Sequence, residues 1–263
     1  MSHDDTCALI TGGAQGLGLA IAEQLVSQGC RSLVLADVNA EAGQEAADAF
    51  GADGVASHFL HVDMADPEQA IAMVDQAQEM MGRVTSLVNC AATTDRGSIL
   101  DTSIAAWDKI MDVNARGPFF ALQRFAQLCI DGRHPGGCVN ILSIVVHGGL
   151  PILAPYGASK AALLYTTKNS AAALAKHRVR VNGINVGWMD TPGEDVRQKV
   201  SHGRAPGWQA AVEAGLPFGM MVKPDHVARQ AAFFLSEDSG VVTGAILDFD
   251  QTVVGAYPDT DAN

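Results

Sequence analysis

A tyrosine and a lysine that lie four positions apart are the residues of this sequence best suited to chemistry. Tyr156 and Lys160 belong to the stretch SIVVHGGLPILAPYGASK, residues 143–160. If the chain is helical from Ala154 onward, the phenol and the ammonium lie on one face of the helix, one turn apart. Because a nearby ammonium favours phenolate over phenol, this tyrosine is expected to exchange a proton closer to neutral pH than a free one does.

A serine upstream can serve the same reaction. Ser143 stands in the apolar run CVNILSI, and its hydroxyl can hydrogen-bond the reacting oxygen. The spacing Y-x-x-x-K is common by itself, and a surface tyrosine and lysine on an ordinary helix would satisfy it too. The elements that hold these residues therefore decide between the two interpretations.

A glycine-rich turn near the N-terminus predicts a binding site for phosphate groups. The sequence CALITGGAQGLGLAIAEQLVSQG indicates a short apolar strand, a turn and an amphipathic helix that stops at Gly29. Gly12, Gly16 and Gly18 stand where the backbone must turn tightly and approach a ligand. The start of a helix offers unpaired N–H groups and a positive dipole end, which suits a pyrophosphate.

An aspartate at the end of the second predicted strand indicates which dinucleotide binds. Asp37 ends SLVLAD, nineteen residues after Gly18. A carboxylate there can accept hydrogen bonds from both ribose hydroxyls, and it repels a 2'-phosphate by ~4 kcal/mol per unit charge at ~4 Å before solvent screening. The sequence therefore predicts NAD, although Asp37 can also be read as a cap of the next helix. Asp63 ends the third strand, where it can meet the adenine amino group.

Strand and helix patterns alternate along the chain, which predicts an α/β fold. We expect a single-domain, Rossmann-like, doubly wound parallel sheet of about seven strands, flanked by helices on both faces. Ligands then bind beyond the carboxyl ends of the strands. No linker or repeat divides residues 1–263. Within this one domain we expect substrate-side loops at 93–113, a lid without a long helix at 188–222, and an acidic tail at 251–263.

Composition restricts the class of protein further. The chain has 48% hydrophobic residues and a net charge of -12, which argues against nucleic acid or an anionic membrane as a partner. No membrane span and no secretory signal is recognisable. Five cysteines without C-x-x-C spacing favour reduced thiols and a cytoplasmic setting. His58 and His61 would point to opposite faces of a strand, so no metal site is predicted.

The helix that carries Tyr156 also predicts self-association. Its sequence YGASKAALLYTTKNSAAALAKH is rich in alanine and nearly apolar on more than one face. Such a helix can be buried against a second copy of the chain as well as against its own sheet. We therefore expect a homo-oligomer, a homotetramer or a dimer.

Together these motifs resemble the short-chain dehydrogenase/reductase family, over nearly the full length from Thr6 to about Asp250. The matching features are TGGAQGLG at 11–18, Asp37, Asp63, NCAA from Asn89, Asn114, Ser143, Tyr156 and Lys160. The resemblance implies an NAD-dependent oxidoreductase that interconverts a secondary alcohol and a ketone, with a small-molecule substrate.

The resemblance also implies a role for each catalytic residue. Tyr156 as phenolate would take the proton of the substrate hydroxyl, and Ser143 would hold the substrate oxygen. Lys160 would lower the tyrosine pKa and bind the nicotinamide ribose, while Asn114 would anchor a water. The residues expected to bind the cofactor are Gly12, Gln15, Gly16, Leu17, Gly18, Asp37, Asp63, Met64, Asn89, Ala91, Tyr156, Lys160, Gly187, Met189 and Thr191.

Three positions depart from the family pattern. The usual Asn-Ala-Gly is Asn89-Cys90-Ala91 here, which slightly changes the approach to the adenosine ribose. The usual Pro-Gly after the sixth strand is Val186-Gly187, and the usual glycine pair after the last strand is Asp250-Gln251. None of these changes removes a catalytic group.

The expected substrate is a sugar, a polyol or a related hydroxy compound, because the loops that should line the pocket mix polar groups with one large aromatic. The residues expected to contact it are Thr93, Arg96, Ser143, His147, Trp188 and Glu194. A 3-oxoacyl-thioester reductase and a steroid-type dehydrogenase remain alternative enzymes. The non-enzyme alternative is a dinucleotide-binding regulator without catalysis, against which the complete set of catalytic residues argues.

Overall fold

A seven-stranded parallel sheet with the order β3-β2-β1-β4-β5-β6-β7 organises the chain. The structure is a computed structural model that describes residues 1–256. The strands are β1 (Cys7–Thr11), β2 (Ser32–Asp37), β3 (Ala56–His61), β4 (Ser86–Asn89), β5 (Gly136–Ser143), β6 (Val179–Val186) and β7 (Ile246–Phe249). The order reverses between β1 and β4, which is the switch point where α/β sheets bind ligands. The predicted fold class is confirmed.

Helices cover both faces of the sheet. They are α1 (Gly16–Ser27), α2 (Ala40–Ala52), α3 (Pro67–Met81), α4 (Ile104–Met111), α5 (Gly117–Asp131), α6 (Ala154–Leu174), α7 (Pro192–Val200), α8 (Trp208–Glu213) and α9 (Pro224–Leu235). Each face of the sheet has its own apolar core, and successive residues of a strand point to opposite cores. Ile10 packs with α1 and α9, and its neighbour Leu9 packs with α3 and α5. Burial on both faces is why the central strands β1 and β4 are fully or almost fully buried, whereas the edge strand β3, ASHFLH, is largely exposed.

The segments that were expected to be loops contain short helices. Residues 188–222 include α7 and α8, where the sequence indicated no long helix. The signal for α7 is local: Thr191 precedes Pro192, and its hydroxyl accepts a 3.1 Å hydrogen bond from the N–H of Glu194. Of the predicted tail at 251–263, residues 257–263 lie outside the described part of the chain. Within residues 1–256, no helix combines the length and apolarity that crossing a membrane requires.

Candidate active site

A cavity of about 1000 Å³ opens beyond the carboxyl ends of the strands. It brings the glycine turn, both strand-end aspartates and the catalytic tyrosine and lysine into one space. Its lining includes these residues expected from the sequence: Gly12, Gln15, Gly16, Leu17, Gly18, Asp37, Asp63, Met64, Ala91, Thr93, Arg96, Ser143, Tyr156, Lys160, Gly187, Trp188, Met189, Thr191 and Glu194. The volume is large enough for a dinucleotide and a small substrate together.

Helix α6 positions the catalytic pair as the sequence predicts. It begins at Ala154 with Pro155 in its first turn, so Tyr156 and Lys160 lie on the same face. Both side chains are buried, and the lysine Nζ lies 5.9 Å from the centre of the tyrosine ring. The Nζ also donates a 2.8 Å hydrogen bond to the carbonyl of Ile141 on β5. This bond fixes the ammonium between the sheet and the phenol.

Burial controls the protonation of this pair. It raises the pKa of Tyr156 to about 12, and the nearby hydroxyl of Ser143 opposes that rise. Burial also lowers the pKa of Lys160 to about 8. The expected lowering of the tyrosine pKa by the lysine is therefore not found, because the cost of burying a charged phenolate is larger than the favourable contributions of its neighbours. At neutral pH Tyr156 is a phenol and can act as a proton donor.

Asn114 supports the site from behind. It lies in a π-helical turn, Asp112–Arg116, that joins α4 to α5. Its Oδ1 accepts a 2.9 Å hydrogen bond from the N–H of Thr93, and its Nδ2 donates to the Thr93 carbonyl at 2.8 Å and to the Ser159 hydroxyl at 3.0 Å. The side chain is fully buried and ties the loop after β4 to α6. It therefore positions the helix that carries the catalytic pair.

The glycine turn fits the pyrophosphate of a dinucleotide. The residue before α1, Gln15, makes no side-chain capping bond, and the first turn carries no acidic residue. The N–H groups there remain available to an anion. Gly16 has a φ of +57°, and a Cβ on it would meet only Thr191, 3.8 Å away, across the cavity. The space over this helix end is open where phosphate oxygens would lie.

Gly18 permits the close packing of α1 on the turn, and its replacement gives a testable result. A Cβ on Gly18 would collide with the carbonyl of Gly12. We expect Gly18→Ala to lower the free energy of unfolding by about 1–3 kcal/mol and to weaken NAD binding at least about tenfold, as measured by urea unfolding and calorimetry.

Gly51 provides the matched control for this prediction. It lies in α2, and a Cβ there would have no atom within 4 Å. Gly51→Ala should stabilise the protein by about 0.5–1 kcal/mol and leave NAD binding unchanged. If Gly18→Ala behaved as Gly51→Ala does, the close approach at the turn would not be needed.

Asp37 faces the cavity rather than capping the next helix. Its Oδ2 accepts a 3.2 Å hydrogen bond from the N–H of Ala14 in the glycine turn, and its Oδ1 accepts one of 3.0 Å from the N–H of Asn39. The cap of α2 is Asn39, whose side chain accepts from Ala42. The turn thus orients the carboxylate at the edge of the cavity, and the capping interpretation of Asp37 is wrong.

Asn89 does not line the cavity, contrary to the expectation that it binds the cofactor. Successive residues of a strand point to opposite faces, and the Asn89 side chain points to the face that α5 and α6 cover. It is buried, and its Nδ2 donates a 2.8 Å hydrogen bond to Asn140 on β5, which in turn donates to Thr167 on α6 at 2.8 Å. Asn89 therefore connects β4 to β5, and the cavity wall is formed by Cys90 and Ala91 instead.

His147 is also placed away from the expected substrate site. Its Nε2 lies 2.8 Å from Oδ1 of Asp248 on β7 and 3.1 Å from Nδ2 of Asn185 on β6. It lines a separate apolar cavity of about 470 Å³ and not the one that contains Tyr156. Because β6 and β7 are paired with Asn185 opposite Asp248, the register of the sheet provides this partner. The structure does not support substrate binding by His147.

Trp188 holds the lid together. Its ring stacks on Trp208 of α8 with centroids 5.4 Å apart, and the guanidinium of Arg204 lies over both rings. Its Nε1 donates a 2.8 Å hydrogen bond to Glu194 on α7. One ring face is therefore covered by protein, so Trp188 connects α7 and α8 in addition to lining the cavity.

Sequence reasoning missed several residues of the lid and the opposite wall. Lys109, Arg197, Gln198 and Arg204 line the cavity. The threonine cap and the proline at the start of α7 were the available signal, since they place Arg197 and Gln198 on a helix beside the site. Nothing in the spacing showed which face of that helix points inward.

Asp250 and Gln251, which replace the usual glycine pair after the last strand, make structural contacts. Asp250 fills the space beside Gly187, where a Cβ would collide with its carboxylate. The Gln251 amide accepts a 2.9 Å hydrogen bond from the N–H of Phe218 and donates one of 2.8 Å to the carbonyl of Met220. These contacts attach the end of the lid segment to the end of β7.

Comparisons with known proteins agree with this architecture. A family model described as enoyl-(acyl carrier protein) reductase matches residues 12–252. Galactitol 2-dehydrogenase of Agrobacterium fabrum is 30% identical over 256 residues, 95% of this chain and 98% of that protein. The (3R)-3-hydroxyacyl-CoA dehydrogenase of Homo sapiens is 31% identical over 250 residues, 92% of each chain.

A solved structure gives the same result. The structure of NAD⁺-bound xylitol dehydrogenase matches with a TM-score of 0.87 and 25% identity, and the match covers 96% of this chain and 100% of that one. The fold, the cavity and the similarities agree over the residues that the family model matches, 12–252. This chain belongs to the short-chain dehydrogenase/reductase family, and it is an oxidoreductase that acts on CH–OH groups with a nicotinamide dinucleotide.

Proposed function

We propose that this protein interconverts a secondary alcohol and a ketone, and that the residues that do so are Tyr156, Lys160, Ser143 and Asn114. The preferred cofactor is NAD, and the substrate is a sugar, a polyol or a related hydroxy compound. The observation that carries this proposal is that the phenol and the ammonium face the same cavity as the glycine turn. A screen of NAD reduction across polyols, sugars, hydroxy acids and steroid alcohols tests it. Turnover confined to steroid alcohols would refute the substrate class.

Each residue has a role that follows from its place. A bound nicotinamide supplies the hydride chemistry. Tyr156 gives its phenolic proton to the ketone oxygen in reduction and takes it back in oxidation. Ser143 holds the same oxygen from the end of β5. Lys160 places a positive charge beside the phenol, and Asn114 positions both by anchoring α6 to the loop after β4.

The protonation state of Tyr156 predicts a different pH dependence for each direction of the reaction. Oxidation needs the phenolate, and because burial raises the tyrosine pKa to about 12, its fraction grows as pH rises from 6 to 9. We expect kcat/KM for alcohol oxidation to rise by up to about tenfold per pH unit, with a smaller slope above pH ~8, where Lys160 loses its charge. Reduction needs the phenol, which is the dominant form throughout this range, so its kcat/KM should stay nearly level up to pH ~8. Oxidation that slows between pH 6 and 8 would contradict this assignment.

The substrate class rests on the lining of the cavity beyond β4 and β6. Thr93, Arg96 and Glu194 contribute polar groups to the cavity that contains Tyr156, and Trp188 contributes an aromatic ring. The similarity to a galactitol and to a xylitol dehydrogenase supports a polyol or a compound derived from one.

A thioester-linked substrate is the second candidate, because a (3R)-3-hydroxyacyl-CoA dehydrogenase is equally similar. The two are separated by measuring NADH and NADPH turnover on a 3-oxoacyl thioester. Rapid turnover of the thioester with no activity on polyols would favour the second candidate.

The preference for NAD is inferred from Asp37. Its carboxylate lies at the end of β2, where the glycine turn fixes it at the cavity edge. A 2'-phosphate placed near this charge would be repelled. The similarity to a structure that contains NAD⁺ is in keeping with this preference. The five free cysteines are in keeping with a cytoplasmic setting, which we also propose.

The outer face of α6 supports self-association, as a dimer or a tetramer. Tyr165 on this helix is 71% exposed, and Phe119 on the neighbouring α5 is 43% exposed. Exposed aromatics beside small residues suit contact with a second copy. We expect light scattering at micromolar concentration to give a mass of two or four chains, and Tyr165→Glu to shift it toward one. A monomeric mass for the unchanged protein would refute this.

A further inference from the structure

The substrate half of the cavity has a charge opposite to that of the whole chain. The sequence has 29 acidic and 17 basic residues. Beyond β4 and β6, however, the charged residues in the described part of the lining are mainly cationic. The cations are Arg96, Lys109, Arg197 and Arg204, and the single carboxylate is that of Glu194. The other two acidic residues of the lining lie on the far side of the switch point. Asp37 ends β2, and Asp63 comes shortly after β3. A cationic wall in an acidic protein calls for a ligand that uses it.

Internal partners compensate part of this positive charge: Lys109 forms an ion pair of 2.9 Å with Asp95, but the three arginines are less fully paired. Oε1 of Glu194 already accepts hydrogen bonds from Trp188 at 2.8 Å and from Gln198 at 2.7 Å. Its other oxygen lies 3.8 Å from Arg197, which is the outer limit of an ion pair. Within residues 1–256, Arg96 has no ion-pair partner, and Arg204 lies over two tryptophan rings.

Arg197 lines the same cavity as the reacting group, Tyr156. Burial raises the pKa of Tyr156; the charge of Arg197 acts against that rise, and the charge of Glu194 adds to it. The pKa of Asp95, after β4, is lowered by a hydrogen bond from Lys109 and also by the charge of Arg197. This guanidinium is thus within electrostatic reach of α6 on one side and of the loop after β4 on the other.

We propose that the substrate is an anionic secondary alcohol, whose carboxylate or phosphate group is bound by Arg197 together with Arg96 while its hydroxyl or ketone oxygen meets Tyr156 and Ser143. This rests on the proposed function and narrows its substrate class. A guanidinium is planar and offers paired N–H donors, which match the oxygens of a carboxylate or a phosphate. The anion also fixes which carbon faces the nicotinamide, so the same contact would set regioselectivity.

The first experiment compares three end groups on one carbon skeleton. The NAD-loaded protein is assayed with glucitol, gluconate and glucitol 6-phosphate, and a parallel set uses 2-butanol and 3-hydroxybutyrate. We expect kcat/KM for an anionic member to exceed that of its neutral counterpart at least about tenfold. The preferred anion distinguishes a carboxylate from a phosphate. Equal or faster turnover of the neutral members would overturn the inference but leave the proposed function intact, whereas no turnover of any secondary alcohol would refute the proposed function itself.

The second experiment tests Arg197 directly. Arg197→Gln should lower kcat/KM for the anionic substrate by about 10- to 100-fold, mainly through KM, and change the neutral counterpart by less than about threefold. Arg197→Lys should recover part of the loss, and Arg229→Gln, which removes an exposed cation of α9, should change nothing. Calorimetry with NAD supplies a readout apart from turnover. If Arg197→Gln weakened NAD binding, or slowed both substrates alike, these cations would serve the cofactor or the fold and the inference would be wrong.

Discussion

Tyr156→Phe is expected to lower kcat/KM at least about 1000-fold while NAD binds with nearly unchanged affinity. The substitution removes only the hydroxyl, and the ring remains in its buried place on α6. General acid–base catalysis by a positioned group contributes about 100- to 10,000-fold, and the phenylalanine leaves no hydroxyl beside Ser143 for this step. The Lys160 ammonium remains, but it donates its hydrogen bond to the carbonyl of Ile141. Turnover is measured in both directions, and NAD binding by calorimetry.

Tyr165 gives the control for this experiment. It lies on the same helix and is 71% exposed. Tyr165→Phe removes the same atom at a distance from the cavity, and kcat/KM should stay within about twofold of the unchanged protein. If Tyr156→Phe retained activity within about tenfold, proton transfer would have to be assigned to another group.

Asp37→Asn is expected to reduce the discrimination against NADP by about 10- to 30-fold. The variant keeps the shape of the side chain and one acceptor for the N–H of Ala14, but it removes the charge that a 2'-phosphate would meet. The unscreened repulsion is ~4 kcal/mol, and solvent at this half-buried position reduces it to about 1.4–2 kcal/mol, which corresponds to this factor. The ratio of kcat/KM for NAD and NADP measures the effect.

Asp63→Asn is the matched control, because Asp63 also lines the cavity and comes shortly after the next strand, β3. It should change NAD and NADP turnover by the same factor and leave their ratio unaltered. A ratio that responds equally to both substitutions would show a general effect of negative charge rather than contact between Asp37 and the adenosine ribose.

The sequence was sufficient to predict the architecture, because each element carries its own signal. Apolar runs of four to eight residues separated by helical patterns required a parallel sheet covered on both faces. Gly18 and the strand-end Asp37 are local features of the first two strand and helix units, so their places followed from those units. The same holds for Tyr156 and Lys160, whose relation depends only on the helix between them.

Features that depend on tertiary contacts were not predictable in this way. His147 is directed by Asp248, more than a hundred residues away, and Asn89 by the neighbouring strand. The raised pKa of Tyr156 depends on how many atoms cover the phenol, which spacing does not reveal. The cationic residues of the substrate half of the cavity come from two separate segments, 93–113 and 188–222, and the acidic composition of the chain gave no sign of them.

Two crystal structures test the central claim most directly. One contains NAD and the preferred alcohol bound to the Tyr156→Phe protein. The other contains NADH and a ketone inhibitor bound to the unchanged protein. We expect the ketone oxygen within about 2.6–3.2 Å of the Tyr156 and Ser143 hydroxyls, with the nicotinamide ribose beside Lys160. A ketone oxygen bound by other groups, with Tyr156 out of hydrogen-bonding distance, would contradict the account.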